Sequence, residues 1–587
     1  MSVTEARGPA AHAGASAGAP ARASARALLR DTARRDAPHL VALLLTDAAA
    51  AGAALALPAV VARALDLVLA GRAAAGWIAV CAALVAAATA LDALSRRLQL
   101  GAEARGAAHV RRTALAHMLG AGPRLTARVP PGDLVTRTVG NGSDAGLAPA
   151  AAATSLASLA LPAGGFVALL LIDVRLAAVL LVGGPALLLV LRALARRSSD
   201  CAARYQRAQG DLAERLVETL EGARTVAAAG TAARERDRVL EPLPELSLHG
   251  RAMWRVHGRA AGQAAAVVPL LQVLVLAAGG LLLASGALTV GALLAASRYA
   301  ALASGVGALT GTVAVLARAR AAAARVAAVL DVPAPGHGAG RLPPGDGTLS
   351  LRGVTVSHGG RVVLRDVDLT VPGGSTVAVV GRSGAGKSLL AAVAGRLVLP
   401  DEGEVLLDGT SLAVLSRVEL RAAVSYAFAR PELLGDTLGD AVDLGVRTPT
   451  PGQREEAARA AHADGFVALL PDGWSTAVGD APLSGGERQR LGLTRAFAHA
   501  GRVLILDDAT SSLDTATELR VQRALLTHSA VHPGTRLLVA HRATTAARAD
   551  LVAWLDGGHV RALAPHTALW PEPEYRAVFT ESLDADA

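Results

Sequence analysis

The chain contains few cysteines, few aromatic side chains and a single lysine among its 587 residues. Its two cysteines, Cys81 and Cys201, are too few and too far apart for a disulfide framework or a metal site, so we expect small buried side chains there. Aromatic residues make up 2% of the chain, which leaves little in its apolar parts to specify a ligand. Residues 1–37 have no compact apolar core followed by a cleavage site, so we expect no secretory signal.

The only lysine, Lys387, stands out because the other 57 of the 58 basic residues are arginines. It lies in residues 381–388, Gly-Arg-Ser-Gly-Ala-Gly-Lys-Ser, which match the phosphate-binding pattern G-x-x-x-x-G-K-[ST]. A compact, rotatable ammonium reaches the β- and γ-phosphates of a nucleotide, whereas a planar guanidinium is larger and fixed in shape. A strand-like run at 376–380 precedes the loop and a helical run at 389–393 follows it, which favours a nucleotide site over a chance glycine-rich turn.

This loop offers contacts for both phosphate and magnesium. Its glycines let successive backbone N–H groups turn inward as an anion nest, and the helix that follows presents its positive end. Ser388 offers a hydroxyl to Mg²⁺. The predicted nucleotide-binding residues are Gly381, Arg382, Ser383, Gly384, Ala385, Gly386, Lys387, Ser388 and Leu389.

Composition divides the chain into two parts. Its length exceeds one core, and 52% hydrophobic with 18% charged residues is the balance of a membrane protein. Long runs of Ala, Leu, Val and Gly fill residues 40–316, and beyond Arg341 charged and apolar segments alternate as in a soluble α/β domain. We expect an N-terminal arm at 1–37, a transmembrane domain at 38–325, a linker at 326–345 and a nucleotide-binding domain at 346–587.

Six apolar stretches approach the roughly 20 residues needed to cross a bilayer. They are 40–61, 73–91, 146–172, 176–191, 263–284 and 291–316. Their connections are short at 64–72, 173–175 and 285–290, but long and rich in arginine at 95–145 and 192–259, which places the amino terminus and both long segments in the cytosol. The net charge of +9 comes mainly from arginines that flank the apolar runs. This distribution favours a membrane protein over a nucleic-acid-binding one. We therefore predict a six-helix bundle with long cytosolic helical extensions and no nucleic-acid partner.

Charged residues near the apolar runs leave alternatives open. Arg298 in the sixth span either faces a substrate cavity or snorkels to the outer interface. Asp47 and Asp92 lie nearer the cytosolic ends of their spans, where bundle and interface positions are common. The arginines of the N-terminal arm lie either on an interfacial helix or in a disordered segment. These arginines are Arg22, Arg26, Arg30, Arg34 and Arg35.

Two further motifs complete the second half. Residues 503–507, Val-Leu-Ile-Leu-Asp, are typical of a buried parallel strand that ends in a magnesium-orienting carboxylate, Asp507. Residues 483–490, Leu-Ser-Gly-Gly-Glu-Arg-Gln-Arg, precede that strand and open a helix. With both elements in this order, the chain resembles the ATP-binding cassette (ABC) family. Residues 511–514 resemble the D-loop of that family, and 132–137 and 218–226 resemble the intracellular loops of its six-span exporters.

The resemblance implies an exporter-type half-transporter with a fused α/β P-loop ATPase domain, which uses ATP and Mg²⁺ on the cytosolic side of the plasma membrane. In that family two cassettes pair head to tail, so the signature of one half-transporter serves the ATP of its partner. The signature residues here are Ser484, Gly485, Gly486 and Glu487. Asp514 belongs to the D-loop, and His541 resembles the switch histidine that contacts the γ-phosphate. The implied cargo is a small or medium-sized, amphipathic molecule or a peptide, moved across membrane lipid.

Three positions depart from the family pattern. Asp508 stands where active members carry the glutamate that polarises the attacking water, and its shorter side chain predicts slow hydrolysis. Ala429 replaces the glutamine that links Mg²⁺ to the membrane domain, and His358 replaces the aromatic residue that stacks on adenine. Because the signature is intact, these losses favour the degenerate half of a heterodimeric exporter, with Asp508 and His541 as its catalytic residues. The alternatives are a slow homodimeric exporter, and an ATP-gated regulator or an importer of the same architecture.

Overall fold

The computed structural model describes residues 19–126, 128–304, 308–528 and 534–584, and the chain divides into two compact units. One unit contains the chain up to Leu119 together with Val129–Val332. The other contains Gly120–Arg128 and the chain from Pro333 onwards. The first unit is helical, and the second combines strands with helices.

Helices make up most of the first unit, and several of them are long. In chain order they are α1 (Ala19–Arg35), α2 (Ala37–Leu69), α3 (Ala75–Ala121), α5 (Pro131–Thr136), α6 (Gly142–Gly146), α7 (Ala148–Ser158), α8 (Ala160–Ile172), α9 (Val174–Glu221), α10 (Ala223–Ala229), α11 (Ala232–Leu240), α12 (Leu243–Ala284), α13 (Val290–Ala303) and α14 (Ala308–Leu330). A short helix of the second unit, α4 (Pro123–Thr126), lies between α3 and α5, and a π-helical turn at Arg137–Asn141 joins α5 to α6.

The apolar surface of these helices is that of a membrane domain. Among the described residues, the stretches Ala37–Leu69, Ala75–Ala121 and Pro131–Ile172 are long and apolar enough to cross a bilayer. Large apolar side chains on the helices face outward, as Leu171 and Leu281 do with exposed fractions of 82% and 75%. Exposed apolar surface on this scale is stable against lipid and unstable against water.

The described residues of all six predicted spans are helical apart from short breaks, and residues 305–307 of the sixth span lie outside the described part of the chain. The third span is interrupted at Leu147 and Leu159, where three short helices meet. The fourth span is short before Arg192 and is expected to continue past it, and α9 confirms this by running without a break to Glu221. Asp173 fixes the start of α9, since its carboxylate accepts a hydrogen bond from the backbone N–H of Arg175 at 2.7 Å. The helical extension predicted beyond this span is thus the second half of one long helix.

The N-terminal arm is helical where the structure describes it, so the disordered alternative is wrong for residues 19–35. Residues 1–18 lie outside the described part of the chain. Ala25 and Leu28 of α1 are buried in one apolar cluster with Val110 of α3 and with Ala323 and Val326 of α14. The apolar face of α1 therefore packs on other helices of its unit.

The charged residues of the spans differ in their surroundings. Asp47 of α2 occupies a bundle position, because its carboxylate accepts a hydrogen bond from the hydroxyl of Ser95 on α3. Asp92 of α3 and Arg298 of α13 are exposed on the surface of the chain.

The second unit contains two sheets. Its strands are β1 (Leu349–His358), β2 (Arg361–Val371), β3 (Thr376–Val380), β4 (Glu402–Leu407), β5 (Thr410–Ser411), β6 (Val424–Phe428), β7 (Val503–Asp507), β8 (Thr535–Val539), β9 (Leu551–Asp556) and β10 (His559–Ala564). An antiparallel sheet has the order β2-β1-β4-β5. A second sheet has the order β10-β9-β3-β8-β7-β6 and is parallel except for the edge pair β9 and β10.

The parallel sheet forms because its central strands are apolar on both faces. All five residues of β3 and the first four of β7 are buried, which is the pattern of a strand covered on both sides. Helices of the second unit that cover or extend the sheets are α15 (Lys387–Ala394), α16 (Arg417–Ala423), α17 (Leu438–Asp443), α18 (Pro451–Ala460), α19 (Asp464–Ala468), α20 (Gly485–Ala498), α21 (Thr515–His528), α22 (Ala543–Ala546), α23 (His566–Leu569) and α24 (Pro573–Asp584). The carboxyl ends of β3, β6, β7 and β8 therefore meet at one edge, where α/β proteins bind ligands.

Candidate nucleotide-binding site

The phosphate loop connects the carboxyl end of β3 to the first residue of α15. This strand and this helix were both predicted from the sequence, and both are confirmed. Gly384 and Gly386 have φ values of +81° and +98°, which lie in the left-handed region that glycine adopts without strain. A Cβ on Gly386 would also come within 3.0 Å of Leu364 on β2. The loop thus has the backbone of an anion nest at the positive end of a helix.

Lys387 is the first residue of α15 and is only 6% exposed. Its Nζ donates hydrogen bonds to the backbone carbonyls of Gly381 at 2.8 Å and Arg382 at 3.0 Å. Burial lowers the pKa of this ammonium, while the nearby carboxylates of Asp508 and Asp507 favour its charged form. The ammonium is therefore held inside the loop, and a polyphosphate would supply the anionic partner that a buried cation requires.

Asp507 ends β7 and provides an oxygen that the protein leaves unpartnered. Its Oδ1 is buried and accepts no hydrogen bond from the described residues. Burial raises the pKa of this carboxyl, and the Ser388 hydroxyl and the charge of Lys387 oppose that rise. A buried carboxylate oxygen beside a hydroxyl is a donor set that Mg²⁺ accepts. Ser388 and Asp507 would hold the ion, which would neutralise charge on the phosphates of a nucleotide.

Asp508 and His541 form a pair next to this position. His541 follows β8, Asp508 follows β7, and the two strands are neighbours, so their side chains meet at the edge of the sheet. The Nε2 of His541 lies 2.9 Å from Oδ1 of Asp508. Asp508 has a φ of +53°, a conformation that Asp and Asn adopt more readily than other side chains. The two residues predicted to be catalytic are thus in direct contact.

The signature residues lie at the start of α20. Ser484 is the N-cap, and its hydroxyl accepts a hydrogen bond from the backbone N–H of Glu487 at 3.3 Å. In return, the carboxylate of Glu487 accepts hydrogen bonds from the backbone N–H and the hydroxyl of Ser484, both at 2.8 Å. These two donors lower the pKa of the Glu487 carboxyl. Gly485 and Gly486 form the first turn, so the signature presents a positive helix end with little side-chain bulk.

Other predicted site residues have local partners or exposed positions. Asp514 accepts a hydrogen bond from the backbone N–H of Thr517 at 3.0 Å and so caps the start of α21. Hydrogen bonds from the hydroxyl and then the backbone N–H of Thr517 lower the pKa of this carboxyl. His358 is the exposed last residue of β1 and pairs across the hairpin with Arg361 of β2. Ala429 follows β6, whose last residue lies beside Asp507 in the sheet register. The position of the missing glutamine is thus adjacent to the magnesium-site strand.

Sequence reasoning missed two buried polar residues near the site. Gln489 of α20 is 1% exposed and Glu518 of α21 is 5% exposed. Glu518 accepts a hydrogen bond from the Thr510 hydroxyl at 3.2 Å and forms an ion pair with Arg542, the neighbour of His541. A polar residue on an otherwise apolar helix face signals a buried partner. For Gln489 the sequence contains that signal, because Leu493 follows four residues later on the same helix face.

A phosphate loop at the edge of a parallel sheet, fused to long apolar helices, defines a membrane-embedded P-loop nucleotide-binding protein. Residues 364–511 match the family profile "ABC transporter", and residues 40–306 match "ABC transporter transmembrane region". The chain is 53% identical over 540 residues to the ABC transporter ATP-binding protein RamA of Streptomyces coelicolor, covering 92% of this chain and 85% of that protein. The chain therefore belongs to the ABC transporter family.

More distant relatives share parts of the chain. A multidrug efflux ATP-binding/permease protein of Mycobacterium tuberculosis is 36% identical over 378 residues, which cover 62% of this chain and 31% of that protein. The structure of a bacterial Atm1-family ABC exporter with ATP bound matches with a TM-score of 0.77 at 23% identity, covering 94% of this chain and 98% of that one. These matches confirm the predicted fold class, a transmembrane helical domain followed by an ABC ATPase domain, and they confirm an ATP-binding ATPase that couples hydrolysis to transport.

Proposed function

We propose that this chain is one subunit of a heterodimeric ABC exporter, whose own ATP site hydrolyses slowly and whose signature serves the ATP site of a partner half-transporter. In this proposal residues 38–325 are the transmembrane domain and 346–587 the ABC domain, which lies with the amino terminus on the cytosolic side of the plasma membrane. Mg²⁺ accompanies ATP between Ser388 and Asp507.

The observation that carries the proposal is Asp508. A general base must reach the attacking water, and an aspartate is one methylene shorter than the glutamate that the family pattern requires at this position. The pairing of Asp508 with His541 at 2.9 Å holds its carboxylate toward β8. A displacement of about 1 Å in a catalytic group costs on the order of 10²-fold in rate. Binding of ATP does not depend on this group, so a site with Asp508 favours binding over turnover.

Ala429 supports the same conclusion from the neighbouring strand. Its methyl side chain has no oxygen or nitrogen, so it offers neither a ligand to Mg²⁺ nor a hydrogen bond to the attacking water. Loss of this contact weakens communication between the site and the membrane helices as well as hydrolysis. Two losses at adjacent strand ends, beside an intact Lys387 and Asp507, fit selective loss of hydrolysis.

The signature and α10 support a partner subunit. Ser484, Gly485 and Gly486 retain the helix start that binds phosphate in the head-to-tail arrangement of the family. None of the residues of α10 is buried within the chain, and this helix begins within the segment 218–226, which resembles an intracellular loop. An amphipathic or polar helix without a buried face is stable when a second molecule covers it. We assign α10 to the contact with the partner half-transporter.

An amphipathic cargo is supported by the apolar character of the spans and by the relatives. Similar proteins include a multidrug efflux protein, a fatty acid ABC transporter of Mycobacterium bovis and an ATP-dependent lipid A-core flippase of Alkalilimnicola ehrlichii. Two of these names give a lipidic cargo, a fatty acid and the lipid A-core. The cargo of this chain is accordingly a small or medium-sized amphipathic molecule or peptide, moved outward.

A slow homodimeric exporter is the second candidate, because Asp508 keeps a carboxylate in contact with His541. The two candidates differ in what the purified chain does alone. ATP binding and phosphate release are measured on the full-length chain in lipid nanodiscs, with Asp507→Asn as a control that removes the magnesium carboxylate. The heterodimer predicts ATP binding with phosphate release close to that control, and a second ABC half-transporter that co-purifies from native membranes. Rapid phosphate release by the chain alone contradicts it.

A further inference from the structure

Gln489 is a buried side chain of α20 that makes hydrogen bonds to two other segments of the nucleotide-binding unit. Its amide nitrogen lies 3.1 Å from the backbone carbonyl of Ala429, 3.1 Å from that of Asp508 and 3.3 Å from the hydroxyl of Ser511. Its amide oxygen accepts a hydrogen bond from the backbone N–H of Ser512 at 2.9 Å. The amide orientation is unambiguous, because two of the nitrogen's neighbours are carbonyls, which only accept, and the oxygen's neighbour is an N–H, which only donates.

The surroundings of Gln489 make these hydrogen bonds consequential. The apolar face of α20 continues from Gln489 to the buried Leu493, which shares an apolar cluster with Leu506 of β7 and Leu513. A buried amide in such a place is retained only when its donors and acceptor are all satisfied. Gln489 is therefore a fixed connection between α20 and the segment that follows β7.

The conformation of Asp508 explains what this connection holds in place. With a φ of +53°, Asp508 is in the left-handed region, which for a residue other than glycine persists only where neighbouring contacts enforce it. Its carbonyl accepts hydrogen bonds from Gln489 and from the backbone N–H of Ser511 at 3.1 Å. This backbone conformation directs the Asp508 side chain to His541. The Gln489 amide thus stabilises the turn that brings the pair together.

We propose that Gln489 is a positioning residue, which fixes the turn from Asp508 to Ser512 and ties it to the signature helix α20. Movement of α20 when the signature meets a nucleotide is then transmitted to Asp508 of the same chain through one amide. The role of Asp508 in hydrolysis rests on the proposed function, whereas the structural connection does not. Ala429 contributes through its backbone carbonyl, so the connection is retained although the glutamine of the family pattern is absent.

Two variants of the full-length chain in nanodiscs test the proposal. Gln489→Met keeps the length of the side chain and removes every hydrogen bond, and Gln489→Glu keeps an acceptor for the Ser512 N–H but removes both amide donors. Gln453→Met is the control, because Gln453 is an exposed glutamine of the same unit whose amide oxygen accepts a hydrogen bond from the backbone N–H of Thr450, the N-cap of α18, at 2.9 Å. Amide hydrogen exchange of peptides covering residues 508–514 and 381–388 and the affinity for a fluorescent ATP analogue are measured for each.

Gln489→Met is expected to speed exchange in residues 508–514 at least tenfold, with exchange in 381–388 and ATP affinity within twofold of the parent chain and of Gln453→Met. In an assembly that hydrolyses ATP at this site, kcat falls for both Gln489 variants while KM stays within twofold. Unchanged exchange in 508–514 overturns the proposal, as does a loss of protection that spreads equally to 381–388. If no assembly hydrolyses ATP, the proposed function fails, and the exchange result still decides the role of Gln489.

Discussion

Replacement of Asp508 by glutamate is the sharpest test of the impaired site. The substitution extends the carboxylate by one methylene, roughly 1 Å, and a misplacement of that size accounts for about 10²-fold in rate. We expect Asp508→Glu to raise phosphate release by the chain alone by about 10-fold to 100-fold. The intact Ser484 and Gly486 matter here, because a homodimer of the variant combines the restored glutamate with a complete signature.

The same substitution has a structural cost that can be measured separately. At a φ of +53°, glutamate lacks the tolerance of aspartate for the left-handed region. We expect a loss of about 1 kcal/mol in the free energy of unfolding of the nucleotide-binding unit. We therefore expect Asp508→Glu to release phosphate faster and to be less stable than the parent chain. A nonspecific stabilising effect would instead change the rate of phosphate release and the free energy of unfolding in the same direction.

Phosphate release is measured at saturating ATP and Mg²⁺ in lipid nanodiscs, with Asp508→Asn as the control of equal size without a base. The rate of phosphate release should be highest in Asp508→Glu, and the rate of the parent chain should equal or exceed that of Asp508→Asn. A parent chain that hydrolyses ATP as fast as Asp508→Glu refutes the reasoning, because the short side chain would then reach the water without penalty. Equal rates for Asp508→Asn and Asp508→Glu refute it as well.

Three further predictions concern neighbouring residues. Lys387→Ala should abolish binding of a fluorescent ATP analogue, and Lys387→Arg should fail to restore it because the buried site accepts no guanidinium. Glu518→Gln should lower turnover without changing ATP affinity, since Arg542 loses the ion pair that fixes the segment next to His541. The pKa of the Glu487 carboxyl is lowered in the folded state, so its ionised form stabilises the fold at pH values above the unfolded-state pKa. This contribution should be lost as the pH falls through the folded-state pKa. The thermal unfolding temperature should therefore decline less at acidic pH in Glu487→Gln than in the parent chain.

Each of these predictions has a result that contradicts it. ATP affinity that survives Lys387→Ala would place the nucleotide elsewhere. Unchanged turnover in Glu518→Gln would mean that Arg542 does not influence His541. Identical pH profiles for the parent chain and Glu487→Gln would mean that the capping box contributes nothing measurable in the folded protein.

The sequence alone predicts those parts of the site whose residues are adjacent in the chain. The phosphate loop was predictable because the glycines, Lys387 and Ser388 are adjacent in the chain, and the strand before it and the helix after it have distinct periodicities. The strand ending at Asp507 was predictable for the same reason. Asp508 and His541 were assigned through the family resemblance, and their contact depends on β7 and β8 being neighbours, which local patterns do not determine.

The features that escaped prediction depend on distant partners. The burial of Gln489 is a property of the turn that covers it, and Glu518 is buried because Arg542 and Thr510 approach it from other segments. By contrast, the continuation of the fourth span past Arg192 is predicted from the sequence and confirmed by α9, because helix propensity continues after hydrophobicity ends. Hydropathy marks where a helix leaves the apolar layer and carries no information on where the helix stops.

The burial of Lys387 has a practical consequence for labelling. Because every other basic side chain is arginine, an acylating reagent selective for primary amines has one side-chain target in the whole protein. That target lies inside the phosphate loop and is 6% exposed. The extent of acylation at this position, read by mass spectrometry, would therefore report directly on occupancy of the loop, without any engineered probe.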